Sequence, residues 1–156
     1  MSLTFDIKNS QDLFKVLLEN YEKYKEDELS VRKALNCVTV GWHLTEWACW
    51  HEKKWEEKTN RQVLGDFRKT LYDNCPELKV MHDICTGYKH YKITSPKSNI
   101  SDSDLHEGTF GKTFGPTFNK SRLVIVSIGG DKQDFSIVIE KVVDFWTDYF
   151  QKFPEK

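Results

Sequence analysis

From Val31 to Trp50 almost everything outside one narrow polar line is apolar, and this run constrains the fold more than any other feature of the chain. Four of the five tryptophans follow one another closely: Trp42, Trp47, Trp50 and Trp55. Read as a helix, the run leaves its polar positions on one narrow line at steps of four and three: Arg32, Asn36, Thr39, His43 and Glu46. A helix apolar nearly all round belongs at the centre of a helical core. Its polar line then has three settings: a hydrogen-bonded seam between helices, the wall of a cleft, or merely the partly exposed edge. The exposed helical faces of this chain favour Lys and Glu, whereas Arg, Asn, Thr and His suit directional hydrogen bonding. Arg32, His43 and Glu46 are therefore candidate catalytic residues.

The flanking segments supply partners for this helix. Asn9 and Ser10 are good N-caps, followed by Leu13, Phe14, Leu17, Leu18, Tyr21 and Tyr24 at helical spacing, with an end near Glu26. Ser30 caps the Trp-rich helix. A third helix is predicted over about 60–73 on Val63, Leu64, Phe67 and Leu71. A fourth, begun by Pro76, runs to about Tyr91 with Leu78, Met81, Ile84, Cys85 and Tyr88 on its apolar side. Short connections favour antiparallel neighbours, so helices two and four are expected to run parallel. Residues 95–120 carry no periodic apolar face and read as a long loop rich in Gly, Ser, Thr and Phe. Its Thr-Phe repeat (Phe110, Phe114, Phe118) would pin it to the bundle. Leu123–Ile128 reads as a buried strand, Gly129 and Gly130 as its turn, and Asp134 as the cap of a last helix. The expected class is mainly α: residues 1–156 as one up-down bundle of four to five helices, with a minor C-terminal strand or hairpin.

Composition excludes some functions. A net charge of −1 gives no global field to gather polyanions, so nucleic-acid binding would need a local basic patch. Only four of the 23 basic residues are Arg, which makes Arg32 conspicuous. Cys37, Cys49, Cys75 and Cys85 show no C-x-x-C pairing and read as free thiols. No membrane-spanning run exists, and the expected setting is the cytoplasm. Lys79, His82, Asp83, Thr86, Lys89 and His90 form a second polar arc, on helix four, whose plainest reading is a face turned to water. A metal reading would draw on His43, Glu46, His82 and Asp83, but their spacing fixes no ligand set, and no cofactor is expected. Gly111-Lys112-Thr113 resembles the end of a phosphate loop but lacks the leading Gly and the preceding strand.

Trp42-His43-Leu44-Thr45-Glu46-Trp47, taken with His82-Asp83 and Gly87-Tyr88-Lys89-His90, resembles a group of uncharacterised bacterial and phage-associated proteins with a WH-x-x-[DE]-W helix and an H-D-x-x-x-G-x-K-H segment. That resemblance implies a similar helical fold and assigns no activity. More distantly, a bundle with Lys-His at a helix end is similar to HEPN domains, many of which bind or cleave RNA as dimers. The chain departs from them: no Arg is followed after four to six residues by His. The resemblance implies RNA as partner and a homodimer as assembly. His43 or His90 would act as general acid or base, with Lys89 and Arg32 neutralising phosphate. The contrasting expectation is a non-catalytic interaction module whose contact surface is the 95–120 loop.

Overall fold

The computed structural model describes residues 3–53, 61–107 and 120–154, which form five helices and a small antiparallel sheet. Helix α1 (Ser10–Glu26) starts where the Asn9 side chain accepts from the Asp12 amide. It ends in a turn that folds it back onto α2 (Val31–Lys53), whose Ser30 hydroxyl accepts from the Lys33 amide at 3.3 Å. Helix α3 (Arg61–Asn74) and helix α4 (Glu77–His90) are separated only by Cys75 and Pro76. Strands β1 (Ile100–His106), β2 (Arg122–Ser127) and β3 (Lys132–Asp134) pair antiparallel in that order, and α5 (Phe135–Lys152) follows β3 directly. The expectation of a mainly helical chain with a minor C-terminal β element holds, and none of the four cysteines is in a disulfide.

α2 is the axis of the molecule and packs on each of the other four helices. Its apolar girth puts Ala34, Cys37, Val38, Leu44, Ala48 and Cys49 at 2% exposure or less. α5 comes closest. A Cβ on Gly41 would lie 3.2 Å from Val142, and the Trp146 indole, wholly buried, donates to the Gly41 carbonyl at 3.1 Å. α5 lies antiparallel to α1: Phe14 stacks on Phe150 with ring centroids 5.0 Å apart, and Tyr21 lies toward Glu140 and Asp144.

Helices two and four do not run parallel. Val31 and Leu35, early in α2, share a cleft with Gly87 and Tyr88, late in α4, while Trp42 further along α2 meets His82. α4 is therefore antiparallel to α2. α3 likewise opposes α5: Glu77 pairs with Lys141 at one end of a cleft of about 860 Å³, and Phe67 and Phe153 line the rest. The chain thus bends at Cys75–Pro76 without reversing. Pro76 breaks the hydrogen-bond ladder, but its φ of −58° and ψ of −25° stay helical, so direction is kept.

The segment expected to be a loop is in part a strand. β1 escapes detection because Ser101 through Leu105 are all exposed, so no apolar alternation marks it. It is an edge strand, and the amides of Ser103 and Leu105 donate to the carboxylates just before them, Asp102 and Asp104, at 2.8 Å each. Phe110, Phe114 and Phe118 lie outside the described residues. Asp134 does precede α5, but its carboxylate pairs with Arg122 at 2.6 Å and caps no amide.

Because α5 seats on a missing side chain, Gly41→Leu should force α2 and α5 apart and destabilise the fold by about 1–3 kcal/mol. Thermal or urea unfolding checks this; an unchanged midpoint would show that the crossing tolerates bulk.

Candidate functional site

The polar line of α2 is neither a sealed seam nor a pocket wall. Arg32, Asn36, His43 and Glu46 are exposed and Thr39 half-buried, so the line is a solvent edge of a helix whose other faces are largely covered. It does not act as one unit. By the helical rise of 1.5 Å per residue, Arg32 and His43 stand roughly 16 Å apart. The antiparallel α4 divides them: its last turn lies beside the Arg32 end, and His82 beside the His43 end.

At the Arg32 end, Lys89 and His90 are exposed as expected, and they bring neighbours the sequence placed elsewhere. Tyr88, assigned to the apolar side of helix four, is 72% exposed, and Tyr91 is fully exposed. With Lys92 they make a run of alternating rings and cations, Tyr88-Lys89-His90-Tyr91-Lys92. Cations are what a helix C-terminus favours, because they oppose its partial negative charge. The rings have no such reason to be there. Tyr91 also holds φ at 62°, a left-handed conformation that costs a non-glycine residue about 1–2 kcal/mol. Its amide donates to the Gly87 carbonyl at 3.0 Å, and Ile93 folds under Gly87, 3.2 Å from where a Cβ would sit. The sharp reversal after His90 leaves the Tyr91 ring in solvent, above a cleft of about 690 Å³ that Val31, Leu35, Ile93 and Asp102 also line.

At the His43 end the organising residue is one the sequence reading passed over. Arg68 of α3, half-buried, lays its guanidinium 4.2 Å from the centroid of Trp42 and donates from Nε to Thr45 Oγ1 at 2.8 Å. The signal for it was present: Leu64, Arg68 and Tyr72 recur at steps of four beside the α3 apolar stripe. Around His43, desolvation lowers the pKa although part of the ring is exposed. Glu46 opposes that shift, and Arg68 and Lys89 reinforce it. His43 is consequently neutral at pH 7. Neither His43 nor His90 makes a side-chain hydrogen bond or ion pair among the described residues.

Asp83, read as part of a water-facing arc, is 4% exposed. Its carboxylate accepts from the Lys97 amide (2.8 and 3.0 Å), the Ser98 amide (2.7 Å) and the Ser98 hydroxyl (2.6 Å). It also meets His82 Nδ1 at 2.7 Å. His82 in turn presents an edge to Trp42, ring centroids 4.9 Å apart. Burial pushes the Asp83 pKa up, but the Ser98 hydroxyl, His82 and the two amides outweigh it and hold the carboxyl below its ordinary value. Asp83 is thus a clasp that binds the segment leading into β1 onto α4. Among the described residues no three His, Cys, Asp or Glu side chains gather as a metal ion would need. No described helix is long and apolar enough to cross a membrane.

Comparison of the chain with protein-family models, with curated proteins and with solved structures finds no match.

A depressed carboxyl pKa contributes stability that is complete above the unfolded value, about 4, and is lost as pH falls through the folded one. Asp83→Ala should remove that acid-side dependence and leave the partly buried Lys97 and Ser98 amides without their acceptor, a loss of about 1–3 kcal/mol. Unfolding midpoints of both proteins between pH 7 and pH 3 test this, and parallel pH curves would exclude the clasp.

Proposed function

We propose that this protein binds single-stranded RNA along the surface formed by the end of α4 and the exposed edge of α2. The observation that carries the reading is the pair of solvent-exposed tyrosines, Tyr88 and Tyr91, interleaved with Lys89, His90 and Lys92 next to the Arg32 end of α2. Single strands are held by aromatic rings on which unpaired bases stack, together with cations that track the phosphates. A left-handed tyrosine kept fully exposed fits such a platform, since strain held at a surface residue needs a use. The chain has no overall positive charge, so the attraction is local and the affinity modest, set by these few groups.

The reading is of binding rather than turnover. His43 and His90 lie toward opposite ends of the shared α2–α4 face, and among the described residues neither is positioned by a hydrogen-bonded partner. Lys89, within charge range of His43, links the two ends. Because His43 takes up a proton only below its ordinary value of 6.5, any help it gives in neutralising phosphate appears on acidification.

Fluorescence anisotropy with a short labelled RNA, and the same sequence as DNA, tests the proposal. Tyr88→Ala and Tyr91→Ala should each weaken binding by about 1–3 kcal/mol. Lys89→Gln should lower the dependence of affinity on salt. His43→Gln should flatten a rise in affinity between pH 7 and pH 5.5. Wild-type affinity in the double tyrosine variant would defeat the reading, as would binding insensitive to salt.

A further inference from the structure

Arg68 is a half-buried cation that forms no ion pair among the described residues. Its surroundings fix it on two sides. Trp42 lies against one face of the guanidinium, and Thr45, itself buried and donating to the Trp42 carbonyl at 2.8 Å, accepts from Nε. Trp42 is backed by the edge of His82, which Asp83 holds. Stack and hydroxyl come from α2 and the backing ring from α4, and together they set the place of one α3 side chain. Yet among the described residues no carboxylate forms an ion pair with Arg68. Glu46 acts on it only at longer range, and the dominant influence on its pKa is desolvation, which lowers it. A buried or half-buried guanidinium ordinarily has a carboxylate beside it, because removing its water unpaired is unfavourable.

With Nε engaged and one face covered, the two terminal nitrogens are what Arg68 still has to offer. They form the planar fork that suits two oxygens of one phosphoryl group. If the side chain served only to shield Trp42, a long apolar chain would do as well and would need no charge.

We infer that Arg68 is a phosphate subsite that grips one backbone phosphoryl group of a single-stranded nucleic acid through both terminal nitrogens, positioned by Trp42 and Thr45. The inference rests on the RNA reading above and extends the strand's path. From Tyr91 and Tyr88 the strand passes Lys89, then His43, which lies in charge range of both Lys89 and Arg68, and reaches α3. Lys89 is a mobile point charge along the way, and Arg68 is the fixed anchor.

The decisive comparison is wild type with Arg68→Lys, Arg68→Gln and Thr45→Val. Arg68→Lys keeps the charge and loses the fork. It should weaken RNA binding about tenfold while leaving most of the slope of log affinity against log salt. Arg68→Gln should reduce that slope by roughly 0.7, the value for one phosphate contact on a single strand. Thr45→Val leaves the charge intact and frees the guanidinium, so its affinity should fall between those of Arg68→Lys and wild type. Melting temperatures identify any variant that fails to fold, and Arg68→Lys and Thr45→Val, the mildest changes, keep the test open if Arg68→Gln does.

A second readout is independent of RNA. Inorganic phosphate should shift the Arg68 Nε–H resonance, one of only four arginine signals and assigned by its absence in Arg68→Lys. If that signal moves with phosphate while the tyrosine variants bind RNA normally, the subsite stands and the tyrosine platform falls. If the tyrosine variants lose RNA but the resonance stays still, and Arg68→Lys and Arg68→Gln bind as wild type, the subsite is wrong and the platform survives.

Discussion

Where α5 crosses α2, Gly41 presents backbone alone, and Val142 and Trp146 occupy the space a side chain would have filled. This approach makes the architecture work, because α2 must be covered on almost every side. One helix cannot do that, and several can only if one comes very close. The indole of Trp146 adds a directional element, its N–H on the Gly41 carbonyl, so α5 is fixed in rotation as well as in distance. With α1 and α5 on one side and α3 and α4 on the other, the middle of α2 meets solvent along the polar line from Arg32 to Glu46, and its ends also expose Val31 and Trp50. Everything proposed for the surface depends on that coverage.

The parts of the fold written in local chemistry were readable from the chain. Asn9 caps α1, Ser30 caps α2, and the apolar girth of α2 announces its central place, since each depends on neighbours within a few positions. Periodicity could show that Arg32, Thr39, His43 and Glu46 share an arc, but not what faces that arc. That is decided by α3 and α4, which are distant in sequence. The reversal expected between α3 and α4 failed for a related reason. Pro76 does break a helix, but whether the chain turns back depends on two dihedral angles that composition does not fix. β1 left no signal because strand formation there relies on pairing with β2 rather than on burying a face.

Asp83 and Arg68 show the same limit at the level of single residues. In sequence, Asp83 belongs to a Lys, Asp and His arc of the kind that faces water. In the fold the chain after α4 returns and covers it, and the carboxylate is then held by backbone amides fourteen and fifteen positions away. Scarcity drew attention to arginine in general, and to Arg32 because it stood on the polar line. The arginine with the more specific surroundings is Arg68, whose setting is made by Trp42 and Thr45 from another helix. A fork held on a ring loses little freedom when it meets an anion, whereas the exposed lysines must give up mobility to do the same. The site therefore combines a rigid element with adaptable ones.

The small sheet has a consequence for the chain's behaviour among its own copies. An edge strand is a template on which another strand can add, and Ser101 through Leu105 of β1 are exposed. Asp102 and Asp104 occupy the outward amides in advance, and they do so with negative charge. A second molecule approaching edge to edge must displace both carboxylates before it gains a hydrogen bond, and its own β1 would bring two more. The guard against fibrillar growth is thus built into the strand's own sequence, and a chain with an uncovered sheet edge can remain dispersed when crowded.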